Sequence, residues 1–348
     1  MRHWIRAVLS VRRLELIRVL VFLCYSGLPL AAVAGELQPV RIGLTRDASM
    51  VPVLIAIDAG YFEQAGLDPK LMSLESDASV SAAAASGEVD IGMAALSATF
   101  FRYAAAHHLK IIASRSSDRT RFPRYALLVS QKAGAAGLSG VRGLRNANIG
   151  VASTDSSEYY GLYSIATRFN LGPGSIKTIP LQSPAGEFSA LSRGQIDAAL
   201  LPYPAALPLA IHGRSLLRLS DFAQWQEGVV FVTAESIARR RALIEAFMRA
   251  YQHGTADYAL NFLNYDDGGD FIPGSHYDRY LDLAARWLKI SRDTLAQTKT
   301  YNDRRANLDV ADIRKQVQFW KDRGSLDKGV VADDLLDLSF IGEESEPP

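Results

Sequence analysis

Ala85-Ser86-Gly87-Glu88-Val89-Asp90-Ile91-Gly92-Met93-Ala94 and Ser192-Arg193-Gly194-Gln195-Ile196-Asp197-Ala198-Ala199-Leu200-Leu201 are one pattern written twice. Gly87 and Gly194 stand 107 residues apart, and so do Asp90 and Asp197. In each copy a helix runs into a glycine, which stops it by taking the left-handed conformation. An acid and an apolar run follow, short enough for a buried parallel strand. The next residues are Leu96-Ser97-Ala98-Thr99 in one copy and Pro202-Tyr203-Pro204 in the other. They fall beyond the strand's carboxyl end, where open α/β sheets bind ligands. One copy alone is an ordinary helix–strand turn. The matched pair predicts two α/β lobes facing each other across a crevice.

On the amino side, Val40-Arg41-Ile42-Gly43-Leu44 reads as a strand and Thr45-Arg46-Asp47-Ala48-Ser49 as its loop. A helix through Val53, Ile55 and Ile57 closes at Gly60-Tyr61-Phe62, which completes the start of a βαβ unit. Asn148-Ile149-Gly150-Val151 opens a second unit, with Ala152 to Ser157 as its loop. Val229 to Val232 is the expected return strand. From Ala234 onward the apolar spacing is helical. These readings assign 1–34 to a secretory signal, 35–130 with 233–348 to the first lobe, and 131–232 to the second.

The chain has 348 residues, 48% hydrophobic and 22% charged, enough for a sizeable core in about two domains. A net charge of +1 gives no electrostatic case for a nucleic-acid partner. Arg2, Arg6, Arg12, Arg13 and Arg18 make a basic start, Val19 to Leu30 an apolar stretch, and Ala32-Val33-Ala34 a small-x-small cleavage pattern. The apolar stretch is shorter than the ~20 residues of a spanning helix, although an uncleaved anchor is the alternative. Cys24, the only cysteine, lies inside this segment, so the mature chain is expected to carry no disulfide, thiolate nucleophile or cysteine metal site. The six histidines show no ligand spacing, and no metal or cofactor is expected. Neither a nucleophile elbow nor a phosphate-binding loop is present, and no catalytic residue is assigned.

Three stretches carry a family resemblance: Ala56-Ile57-Asp58-Ala59-Gly60-Tyr61-Phe62 with Ala65-Gly66-Leu67, Ser86-Gly87-Glu88-Val89-Asp90, and Gly194-Gln195-Ile196-Asp197-Ala198. Together they resemble the exported substrate-binding proteins of ABC transporters. The branch is the one with alkanesulfonate, nitrate and taurine binders and the thiamine-precursor-binding proteins. The resemblance implies an α/β, two-lobed type 2 periplasmic-binding fold with two crossing hinge strands and C-terminal helices. It also implies a soluble periplasmic monomer that captures a small organic molecule in the interlobe cleft by hinge closure, with an anionic sulfonate or carboxylate or a pyrimidine-like compound among the options, and passes it to an ABC permease in the inner membrane. The cysteine-rich cluster of the thiamine-precursor synthase relatives is missing, which argues against pyrimidine-forming chemistry. Alternatives on the same scaffold are an exported enzyme and a sensory ligand-binding module.

Eight residues are candidate ligand contacts. Arg46, in the first βα loop, has the guanidinium that grips carboxylate or sulfonate with two bonds, or else is a solvated loop arginine. Ser97 and Thr99 follow the first copy's strand and either cap the next helix or face the crevice. Thr154, Asp155 and Ser156 precede a helix, where they cap it or, with its N–H groups, hold an anion that Asp155 would repel. Tyr203 is held between two prolines, and Trp225 lies near the return strand, lining the crevice or packed in the core. Asp90 and Asp197 read as structural acids at the strands' amino ends. The ligand's charge stays open.

Overall fold

The computed structural model describes residues 36–172, 175–210 and 215–342. The expected signal, 1–34, and Cys24 lie outside these residues. Among the described residues, ten strands form two five-stranded sheets with the same plan. The first contains β1 (Gln38–Leu44), β2 (Leu67–Ser73), β3 (Ile91–Ala95), β4 (Leu109–Asp118) and β10 (Trp225–Thr233), in the order β2-β1-β3-β10-β4. The second contains β5 (Tyr125–Val129), β6 (Asn148–Val151), β7 (Lys177–Pro180), β8 (Ala198–Pro202) and β9 (Ser215–Arg218), in the order β7-β6-β8-β5-β9. In each sheet three strands run parallel, and a fourth, β10 or β5, returns antiparallel beside the third.

The chain crosses between sheets twice, between Asp118 and Tyr125 and between Arg218 and Trp225. Strand pairing puts 125–129 in the second sheet and 225–232 in the first, whereas the sequence assigns each to the other lobe. Both strands are apolar through most of their length, so no change in composition marks the crossing. The return strand is also longer than expected, beginning at Trp225 rather than Val229.

The longer helices are α1 (Val51–Asp58), α2 (Asp77–Ala85), α3 (Ala98–Ala106), α4 (Ser157–Arg168), α5 (Pro184–Ser192), α6 (Ala234–Phe262), α7 (Tyr277–Leu288) and α8 (Val310–Asp322). They cover the sheets, which is why β3 and β5 are buried at every position. One apolar core runs through both sheets, from Phe100 and Ile111 to Leu127 and Ile149, and takes in Trp320 of α8.

The duplicated pattern has a physical explanation. Gly87 and Gly194 have φ of 76° and 70°. The N–H groups that follow return to the helices, Glu88 to the Ala83 carbonyl and Gln195 to the Ala190 carbonyl. Each acid then clamps the start of a neighbouring strand. Asp90 Oδ2 accepts the Arg41 N–H at 2.8 Å, and Asp197 Oδ2 accepts the Asn148 N–H at 2.8 Å. The register repeats with the same offset, Ile42 opposite Ile91 and Ile149 opposite Ala198.

Asp90 also pairs with the guanidinium groups of Arg41 and Arg240. Burial alone would raise its pKa, but the bonds from Arg41 and Arg240 hold it below the usual value. Asp90→Ala removes the clamp and leaves two arginines that keep 43% and 38% exposure. The expected loss is therefore about 2 kcal/mol, less than for an enclosed pair. Urea unfolding checks it, and an unchanged midpoint contradicts it.

Candidate functional site

Charged side chains from both sheets meet where the carboxyl ends of their parallel strands face each other. Asp47 follows β1, Asp77 begins α2, Arg115 lies on β4, Arg124 precedes β5 and Glu227 lies on β10. Arg115 is enclosed by three carboxylates, with contacts of 3.6 Å to Asp47, 3.6 Å to Asp77 and 3.4 Å to Glu227. Arg124 stands 3.5 Å from Asp47 and 3.6 Å from Glu227. Glu227 is anchored by the hydroxyls of Ser116 and Tyr125, which donate to it.

Burial by itself opposes ionisation of Glu227 and Asp47, yet the two arginines overcome it and hold both carboxyls below their usual range. Asp77 goes the other way: burial raises it, and the neighbouring acids add to that against Arg115. Glu158, in the first turn of α4, is pushed up to about 7 by burial, with Glu227 and Asp77 adding to the rise. Asp118 is fully buried and raised well above the ordinary value by that burial. Its Oδ1 accepts the Arg124 N–H at 3.1 Å, and its Oδ2 has no hydrogen-bond partner.

A polar seam joins the two sheets beside this group. The Ala98 N–H at the start of α3 donates to the Asp155 carbonyl at 2.9 Å. Arg102 donates to the Asp155 carboxylate at 3.1 Å and to the Thr99 hydroxyl at 2.9 Å. The Ser325 hydroxyl donates to Asp155 at 3.2 Å. Farther in, Trp225 Nε1 donates to the Ser157 hydroxyl at 3.2 Å, and the indole stacks on Tyr125. Helix α8 straps the same seam. Asp312 accepts the Tyr160 hydroxyl from α4 and the Gln226 N–H from β10, both at 2.8 Å.

The structure therefore brings together Ser97, Thr99 and Asp155, at the seam rather than against the charged group. Ser97 caps α3 by accepting the Phe100 N–H. Ser156 precedes α4 without capping it, its hydroxyl turned to the Ser153 carbonyl, and Thr154 is half-buried in the same turn. Tyr203 is half-buried in the apolar cluster behind β8, and its N–H donates to the Arg124 carbonyl. Trp225 is fully enclosed, a seam residue and not a crevice wall. Arg46 is exposed, with its guanidinium 5.4 Å above the Trp287 ring, while its neighbour Asp47 turns inward. Arg115, Glu227 and Asp77 were missed because each looks like an ordinary polar residue next to a strand or helix. The run Ser114-Arg115-Ser116-Ser117-Asp118, polar yet continuous with an apolar strand, is the signal that marks this group.

A family model described as NMT1/THI5 like matches residues 47–261, more than half of the chain. No curated protein matches it in sequence. Among solved structures, the periplasmic aliphatic sulphonate binding protein SsuA from Escherichia coli is similar, with a TM-score of 0.68 and 14% identity over 89% of this chain and 96% of that one. The alkanesulfonate-binding protein SsuA from Xanthomonas axonopodis pv. citri, bound to MOPS, has a TM-score of 0.60 and 17% identity over 88% and 100%. The desulfurization enzyme DSZB has a TM-score of 0.59 and 13% identity over 87% and 97%. The architecture they share with this chain is the two-lobed type 2 periplasmic-binding fold.

Proposed function

The chain belongs to the NMT1/THI5-like family, and from that we propose that it is an exported solute-binding protein of an ABC importer. It would close its two lobes on a small organic molecule and deliver it unchanged to a membrane permease. One observation carries this reading: side chains of the first sheet share a single charged group with Arg124, in the crossing that leads into the second sheet, where Arg124 reaches Asp47 beside β1. A solute touching that group bridges the lobes, and contacts made only in the closed state favour it over the open one. Neighbours of this fold include binders of sulfonates as well as a desulfurization enzyme. Capture is preferred here because the side chains of this group are engaged with one another in ion pairs and hydrogen bonds. Among the described residues no helix is long and apolar enough to cross a membrane. The segment 1–34 would direct the chain to the periplasm, where it acts as a monomer.

The test is small-angle scattering with and without the molecule that co-purifies with the exported protein. Compaction on adding it back, with the molecule recovered intact, is the expected result. Conversion of that molecule by the pure protein sinks the reading.

A further inference from the structure

The crevice group is unevenly charged on the side a solute meets. Three carboxylates, Asp47, Asp77 and Glu227, face two guanidiniums, an excess of one negative charge. Exposure sharpens the imbalance. The side chains of Asp47 and Asp77 keep 29% and 34% of their surface, whereas Arg124 keeps 11% and Arg115 only 1%. The arginines are spent inward on Glu227 and on the inner faces of the two aspartates. Asp77 Oδ1 has an ion-pair neighbour but no hydrogen bond.

A second unpaired oxygen lies beside this group. Asp118 is fully enclosed and tied to the Arg124 backbone, and its Oδ2 has no hydrogen-bond partner. A buried polar atom left unpaired costs free energy that a hydrogen-bond partner removes. An anionic solute brings no donor and meets two accessible carboxylates. A protonated amine brings up to three donors and the missing charge. A metal ion fits less well, because among the described residues no three His, Cys, Asp or Glu groups are placed to hold one.

We propose that the crevice takes an organic cation: a small molecule bearing a protonated amine, or an equivalent single positive charge, seated against Asp47 and Asp77. This rests on the capture reading above and narrows its ligand. It also sets the chain apart from its sulfonate-binding neighbours, whose named ligands carry a sulfonate group.

The experiment is isothermal titration of the mature protein with benzylamine, 1,4-diaminobutane and an aminomethylpyrimidine, against benzenesulfonate, hexanesulfonate and succinate. An amine is expected to bind in preference to every anion. Asp77→Asn and Asp47→Asn should each weaken it by about thirtyfold, with circular dichroism confirming that the variants fold. Asp77→Asn is the safer of the two, since Asp47 also holds the Ser49 N–H. An anion that binds more tightly than all the amines, or amine binding untouched by both variants, overturns the cation while leaving capture standing. If no compound binds, the molecule released by denaturing the exported protein decides. An acidic or neutral one overturns the cation, and a basic one supports it. With nothing released and no compaction with any compound, capture itself fails.

Discussion

Exchanging Glu187 for Gln raises stability at pH 9 by roughly 3 to 5 kcal/mol and leaves it little changed at pH 5. Glu187 sits on α5 with no exposed surface, and neither carboxyl oxygen has a hydrogen-bond partner. Gly150 and Leu181 crowd its surroundings, since a Cβ added at Gly150 would meet Leu181 at 2.9 Å and Glu187 at 3.6 Å. Burial, with a smaller contribution from Glu158, pushes its pKa from 4.5 up to about 8. The folded protein thus keeps a proton that the unfolded chain gives up. On this group's account stability is full below about pH 4.5 and is lost as pH rises through about 8. The amide matches the acid in shape and carries no charge, so the variant is spared that loss. Glu158 contributes in the same direction near pH 7, reduced because it is only half-buried. Urea unfolding of both proteins at pH 5 and pH 9 is the measurement. An equal difference at the two pH values would show that Glu187 does not titrate in this window.

Gly161→Val destabilises the protein by about 3 kcal/mol or more and spreads the lobes. Gly161 faces the indole of Trp225 across the seam. A Cβ there would lie 2.3 Å from Cη2 and 2.5 Å from Cζ2 of that ring. The ring has nowhere to go, being fully buried, stacked on Tyr125 and bonded through Nε1 to Ser157. Relief must come from moving α4 off β10, which also pulls Tyr160 from Asp312. The expected signs are a melting temperature lower by roughly 5 to 10 °C and a larger radius of gyration. A variant that melts with the parent would mean the seam is loosely packed.

These two sites also show what a sequence displays and what it conceals. The lobes were legible because their signals are local: a glycine past a helix, an acid, an apolar run, each repeated at one offset. Asp90 and Asp197 read correctly as structural acids for that reason. The crevice group was not legible because its ion pairs join distant positions, Arg115 to Glu227 across 112 residues. Arg46 drew notice for its chemistry, but one residue along the loop reverses which side chain points inward, and Asp47 is the one that does. Glu187 looks like a routine first-turn acid of a helix. Only the packing of α5 on β6 and β8 shows that it is sealed from water.

The strap formed by α8 has a consequence for synthesis. The chain leaves the ribosome from its amino end, and β10, the last strand of either sheet, is finished at Thr233. Asp312, which fastens Tyr160 and Gln226 at once, follows much later. A chain emerging amino end first therefore holds both sheets before it holds Asp312, and until then only the earlier contacts join them, those of Ala98 with Asp155 and of Trp225 with Ser157.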